Sequence, residues 1–69
     1  MGLNLNTEQR TTAQLRCEAL ELEDRLELEA AARLWDLAAD RYPDPIGALA
    51  QRDITNMRER AAELRSSAS

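Results

Sequence analysis

Two pairs of carboxylates are the first candidates for chemistry in this sequence. Glu23 with Glu27, and Asp36 with Asp40, are four residues apart, a spacing that places both members on one face of a helix. Such a pair could hold a hard cation, although acidic pairs at this spacing are more often a solvated face. The sequence contains no histidine and a single cysteine, Cys17, which excludes histidine-based triads and the usual zinc ligands. We therefore predict no enzyme, no cofactor and no metal site.

The distribution of charge argues against direct binding of nucleic acid. The formal net charge is −4, and the acidic residues are concentrated between Glu18 and Glu29, where they would repel phosphate. No basic stripe compensates for them elsewhere in the chain. The sequence shows no signal peptide and no apolar run long enough to cross a bilayer. We expect a cytoplasmic protein that contacts neither nucleic acid nor membrane.

The length and composition predict one small helical domain that needs a partner. A chain of 69 residues buries too little surface to be more than marginally stable alone, and one cysteine allows no intrachain disulfide. Leucine, alanine, glutamate and arginine dominate, whereas valine and phenylalanine are absent, which favours helices over strands. We predict an all-α fold, namely a helical hairpin plus a third helix, completed by homodimerisation.

Periodicity and capping signals divide the chain into three predicted helices. Asn6 with Gln9 forms a possible capping box for helix 1, and Asp44 with Pro45 suits the start of helix 3. Proline disfavours helical backbone in the residue before it, so helix 2 should end near Arg41. The predicted segments are a flexible start over 1–6, helix 1 over 7–24, helix 2 over 27–41, a proline-containing loop over 42–45, helix 3 over 45–65 and a frayed tail over 66–69.

Helix 1 is apolar on two sides and therefore needs two neighbours. One stripe contains Leu15, Ala19, Leu22 and Leu26, and the other contains Ala13, Cys17 and Leu20. We expect the first stripe to pack on helix 2. A second copy of the chain should meet the remaining surface, with a dimer interface that comprises Ala13, Leu15, Cys17 and Leu20.

The apolar face changes direction in the middle of the chain. From Leu28 to Tyr42 the apolar positions lie roughly 150–180° around the helix from those of Leu22 and Leu26. A turn between Asp24 and Glu27 would explain this change and produce a hairpin. The alternative is one continuous helix of about 35 residues, which would be covered only in a dimer.

Trp35 is open to two interpretations. It is either the largest core residue of the hairpin or a partly exposed anchor for a partner, because tryptophan and arginine are common at interface hot spots. We predict that replacing Trp35 by alanine weakens partner binding more than it weakens folding. The predicted partner-binding surface consists of Leu22, Leu26, Arg33, Leu34 and Trp35.

A short motif in this region resembles a known family. Leu22-Glu23, Ala31-Ala32 and Trp35 are spaced similarly to the signature of the PerC and ANR (AraC negative regulator) proteins, small bacterial transcription regulators of plasmids, prophages and pathogenicity islands. The sequence departs from that signature at Leu26, where the family has glycine, and at Leu28, where it has an aromatic residue. The resemblance implies regulation through protein contact, since ANR proteins bind AraC-type activators.

The predicted function is therefore that of a small protein-binding regulator. It would modulate transcription by contacting an AraC-type activator in an anti-activator mode, because an acidic surface can meet the arginine-rich surface of a DNA-binding protein. Two alternatives stay open at this point. The first alternative is a phage or mobile-element inhibitor that binds and blocks another host protein. The second is a coiled-coil assembly module.

Overall fold

The computed structural model describes residues 10–68, and within this range the chain forms three helices and no strand. The helices are α1 (Thr12–Asp24), α2 (Leu28–Asp40) and α3 (Ala48–Ala68). The predicted all-α fold, a hairpin followed by a third helix, is confirmed. The continuous-helix alternative is wrong, because the chain turns between α1 and α2. Within the described residues, no helix is long and apolar enough to cross a membrane.

Helix α1 begins later than predicted because Thr11 is its cap. The backbone of Thr11 is extended, with φ −80° and ψ 165°, so the helix cannot run through it. The Thr11 hydroxyl accepts a hydrogen bond from the Gln14 amide (3.2 Å), and the Gln14 side chain accepts one from the Thr11 amide (2.9 Å). This reciprocal pair is a capping box. The predicted Asn6–Gln9 cap and the start at Thr7 lie outside the described residues.

The turn between α1 and α2 is a Schellman motif built on a leucine. The Leu26 amide donates to the Glu23 carbonyl and the Glu27 amide donates to the Leu22 carbonyl, both at 2.9 Å. These two bonds satisfy carbonyls that would otherwise be left at the helix end. Leu26 has φ 63°, a left-handed conformation that costs a leucine about 1–2 kcal/mol. The turn therefore forms without the glycine that such a position favours.

Replacing Leu26 by glycine is expected to stabilise the fold. Glycine adopts a positive φ without strain, and little packing is lost because Leu26 is 79% exposed. We expect a gain of about 1 kcal/mol, seen as a rise in Tm of roughly 4–8 °C in thermal denaturation. Arg25→Gly is the matched control, since Arg25 has φ −88° and gains nothing from glycine. A lower Tm for Leu26→Gly would contradict the strain argument.

Helix α2 lies between α1 and α3 and packs against both. Its neighbours run antiparallel to it, and the molecule measures 36 × 35 × 15 Å, so the three helices form a single layer. The core is built mostly from alanine, which lets the helices approach closely, and Leu15 is the largest fully buried side chain. The core residues are Leu15 and Ala19 of α1, Ala32, Trp35, Ala38 and Ala39 of α2, and Met57 and Ala61 of α3.

The start and end of α3 differ from the prediction for identifiable reasons. Gly47 has φ 106°, which is incompatible with a right-handed helix, so the helix begins at Ala48 and not at Pro45. The Gly47 carbonyl accepts from the Gln51 amide at 3.0 Å. At the other end no glycine or proline follows Leu64, and α3 continues through the predicted tail to Ala68.

Candidate functional site

A groove runs between α1 and α3, with α2 as its floor. It exists because both outer helices pack on α2 and the described backbones of α1 and α3 do not approach within 8 Å of each other. Its volume is about 390 Å³, which is within the range of ligand and side-chain pockets. The lining residues are Arg16 and Leu20 of α1, Trp35 of α2, and Asp53, Asn56, Met57 and Arg60 of α3.

Leu20 is the apolar side chain that the groove leaves open to solvent. It is 51% exposed, whereas Trp35 and Met57 are only 7% and 3% exposed. The floor of the groove is therefore already packed, and its accessible apolar surface is on the α1 wall. A partner side chain entering here would cover Leu20 and contact the edges of the floor residues.

One end of the groove is closed by a cluster that joins all three helices. The Trp35 indole Nε1 donates to Glu23 Oε2 at 2.6 Å. Arg60 donates to both oxygens of the same carboxylate, from Nε to Oε2 at 3.2 Å and from Nη2 to Oε1. The Arg60 guanidinium carbon also lies 5.9 Å from the centre of the Trp35 ring, within reach of a cation–π interaction. Glu23 thus links α1 to α2 and to α3.

The cluster keeps Glu23 ionised. The hydrogen bond from Arg60 is the main cause that lowers the pKa of Glu23 below its ordinary value, with a further contribution from the Trp35 N–H, whereas burial opposes this shift. The same contact raises the pKa of Arg60. Because the two charges neutralise each other, the cluster acts as a structural tie and not as a free acid or base.

At the other end of the groove, a tyrosine connects α2 to α3. The Tyr42 hydroxyl donates to Asp53 Oδ2 at 2.6 Å, which connects the end of α2 to the wall of α3. This bond, with smaller contributions from burial and the charge of Asp53, raises the pKa of Tyr42. Arg16 lies near enough to Tyr42 to lower that pKa slightly. This end is therefore polar, in contrast to the leucine on the wall between the two ends.

The predicted partner-binding residues do not form one surface. Trp35 belongs to the core and forms part of the groove floor. Leu34 packs against the core from the side. Arg33 is exposed but lies about 160° around α2 from Trp35, so the two side chains point in nearly opposite directions. Leu22 is half-buried, and Leu26 is exposed at the hairpin turn. Of the five residues, the structure places only Trp35 in the groove.

The predicted dimer interface needs one correction. Leu15 is fully buried in the core, so it is not available to a second copy. Ala13 and Cys17 are exposed on the outer side of α1, and Leu20 is exposed where that side meets the groove. The helical wheel distinguishes the two sets, since Leu15 belongs to the stripe that faces α2.

The second carboxylate pair is bound by arginines of α3. Arg58 donates to Asp40 at 2.7 Å, and Arg65 lies 2.8 Å from Asp36. These ion pairs are partly exposed and each contributes little to stability, but they align α3 antiparallel to α2. Among residues 10–68, no group of three or more acidic, cysteine or histidine side chains is arranged to hold a metal ion.

Sequence reasoning missed the cluster around Glu23, although a signal for it was present. On the helical wheel Glu23 falls next to Ala19, between the two apolar stripes of helix 1. An acid at such a position needs a partner. The sequence alone did not indicate which of the nine arginines would supply it.

No protein-family model, no curated protein and no solved structure matches the chain.

Proposed function

We propose that this chain is a small, non-enzymatic regulator that binds another protein through the groove between α1 and α3. The observation that carries the proposal is the groove itself, an open channel of about 390 Å³ with the half-exposed Leu20 on its wall. Helices α1 and α3 run in the same direction, because both are antiparallel to α2. Two such walls over an apolar floor suit the side chains of a partner helix.

The charges at the hairpin end favour a basic partner. Asp24, Glu27 and Glu29 are exposed at the hairpin end and have no ion pair to other residues in the described range 10–68. They add to the net charge of −4. An acidic surface of this kind speeds encounter with an arginine-rich protein and disfavours phosphate.

We propose further that the partner is an AraC-type transcription activator and that binding hinders its action, in the cytoplasm. This part of the proposal rests on the resemblance of Leu22-Glu23, Ala31-Ala32 and Trp35 to PerC and ANR proteins. Activators of this type bind DNA through basic surfaces, which agrees with the acidic charge of the hairpin end.

Filling the groove is expected to weaken partner binding without harming the fold. Asn56 lines the groove and is exposed, so Asn56→Phe places a ring in the channel without disturbing the core. We expect its affinity for a purified AraC-type activator from the same genome to fall at least about tenfold in isothermal titration calorimetry.

Thr55→Phe is the matched control, because Thr55 is exposed on the side of α3 that points away from the groove. It adds the same ring and should bind as the unaltered protein does. Equal losses in both variants would show that the groove is not the binding surface. If calorimetry detects no binding of the unaltered protein to any AraC-type activator tested, the proposed class of partner is wrong.

A further inference from the structure

An exposed apolar stripe runs along α1 on the side that faces away from α2. Ala13, Cys17 and Leu20 are spaced by four and three residues, and all three are exposed. Cys17 lies about 180° around the helix from the side that packs on α2. The spacing is that of consecutive seam positions in a two-stranded coiled coil. The stripe adjoins the groove, because Leu20 belongs to both.

Two exposed charges flank the stripe on opposite sides. Arg16 lies on the side nearer the groove and Glu21 on the other, about 140° away. Neither side chain has a hydrogen bond or ion pair to another residue in the part of the chain that the structure describes. The two residues are five positions apart in the sequence. In a parallel coiled coil, a residue that flanks the seam of one helix pairs with the flanking residue five positions later in the other helix.

We infer that a second copy of this chain packs against the stripe, with the two α1 helices side by side and parallel. Arg16 of each copy then pairs with Glu21 of the other, and Cys17 and Leu20 each meet their own counterpart. An antiparallel arrangement is disfavoured because it brings like flanks together, so that the Glu21 side of one copy faces the Glu21 side of the other. The charge pattern thus selects both the occupant and its direction.

The proposed dimer is weak, since α1 has only 13 residues and the seam contains three side-chain layers. Asp24 occupies the next seam position and would meet the same acid in the second copy, which ends the contact there. The dimer and the proposed partner share Leu20 and Arg16, which also line the groove, so a second copy and the partner compete for this part of α1. The test of the dimer uses the chain alone, so its outcome stands whether or not the groove binds a partner.

Charge reversal tests the pairing directly. In sedimentation equilibrium, the unaltered chain should shift from a single copy of 7.8 kDa towards twice that mass as its concentration rises. Arg16→Glu and Glu21→Arg should each weaken the dimer about tenfold, because each replaces two attractive contacts with two repulsive ones. The double variant restores both contacts with the charges exchanged. Its dimer dissociation constant should return to within about threefold of that of the unaltered chain.

Two controls separate pairing from general effects. Arg52→Glu changes the net charge as Arg16→Glu does, but Arg52 is exposed on α3 and should leave the dimer unchanged. Leu20→Asp should abolish the dimer, whereas Leu49→Asp should not, although Leu49 is 76% exposed. Circular dichroism confirms that each variant is folded.

The direction of the helices has its own readout. In the parallel arrangement the two Cys17 thiols lie across the seam from each other, so a short bismaleimide should join the unaltered chain into a covalent dimer. Arg25→Cys combined with Cys17→Ser moves the thiol to an exposed position out of the seam and should reduce the yield strongly. The proposal is wrong if the unaltered chain keeps the mass of one copy at every concentration. It is also wrong if the dimer of the double variant is as weak as those of the single variants. Equal cross-linking yields for the two thiol positions would contradict the parallel direction.

Discussion

Trp35→Ala is expected to leave this protein largely unfolded. The indole is 7% exposed and supplies most of the bulk in a core that otherwise consists mainly of alanine, so its loss creates a cavity that no neighbouring side chain can fill. A tryptophan truncation in a core costs about 3–5 kcal/mol. A domain of this length has a total stability of only about 3–10 kcal/mol. The helical circular dichroism signal should therefore fall and the melting transition should broaden or disappear.

Trp35→Phe provides the matched comparison. It keeps most of the apolar volume and removes the N–H that donates to Glu23, so we expect a loss of about 1–2 kcal/mol and a cooperative melt. A normal melt for Trp35→Ala with lost partner binding would instead make Trp35 an exposed anchor. That was one of the two roles that the sequence allowed, and the burial of the ring favours the other.

Glu23→Gln should destabilise the fold at neutral pH by roughly 2 kcal/mol. The substitution removes the negative charge that Arg60 binds, and it replaces one of the two accepting oxygens by an NH2 group that cannot accept from Arg60 or Trp35. Hydrogen bonds to charged groups contribute more to stability than hydrogen bonds between neutral groups. Glu27→Gln is the control, because Glu27 is exposed and should change stability by less than about 0.5 kcal/mol.

The effect of Glu23→Gln should depend on pH in one direction. The pKa of Glu23 in the folded protein is below its ordinary value of 4.5, so the folded state binds this proton less tightly than the unfolded state does. The stabilisation is complete above that ordinary value and is lost as the pH falls through the lowered pKa. Melting curves of the two proteins should therefore differ at pH 7 and converge in strong acid. A constant difference at every pH would show that the charge of Glu23 does not contribute.

A double-mutant cycle separates the two partners of Glu23. Arg60→Gln should reproduce much of the loss in Glu23→Gln, and the double variant should cost less than the sum of the single ones. The guanidinium of Arg60 is partly exposed, so solvent screens its contribution. The remaining loss belongs to the hydrogen bond from Trp35.

The helices could be predicted because their signals are local. The face that carries Ala31, Trp35 and Ala38 is visible as a repeat of three and four residues, and the structure buries all three. The rotation of the apolar face between Leu22 and Leu28 was sufficient to predict the turn, even without a glycine. Prolines 43 and 45 marked the second boundary, although Gly47 and not Pro45 decides where α3 begins.

The candidate site could not be predicted in the same way. The surface expected from Leu22, Leu26, Arg33, Leu34 and Trp35 is divided among the core, the hairpin turn and the far side of α2. Consecutive residues such as Arg33, Leu34 and Trp35 point in different directions on a helix, so proximity in the sequence did not place them together.

The sequence by itself determined that this chain is helical and where it turns, because periodicity and capping act over a few residues. Only the tertiary structure decided that α2 lies in the middle, that a groove opens between α1 and α3, and that Glu23 meets Trp35 and Arg60. Those arrangements depend on how three helices pack against one another. Contacts such as the one between Glu23 and Arg60, 37 residues apart, have no local signal in the chain.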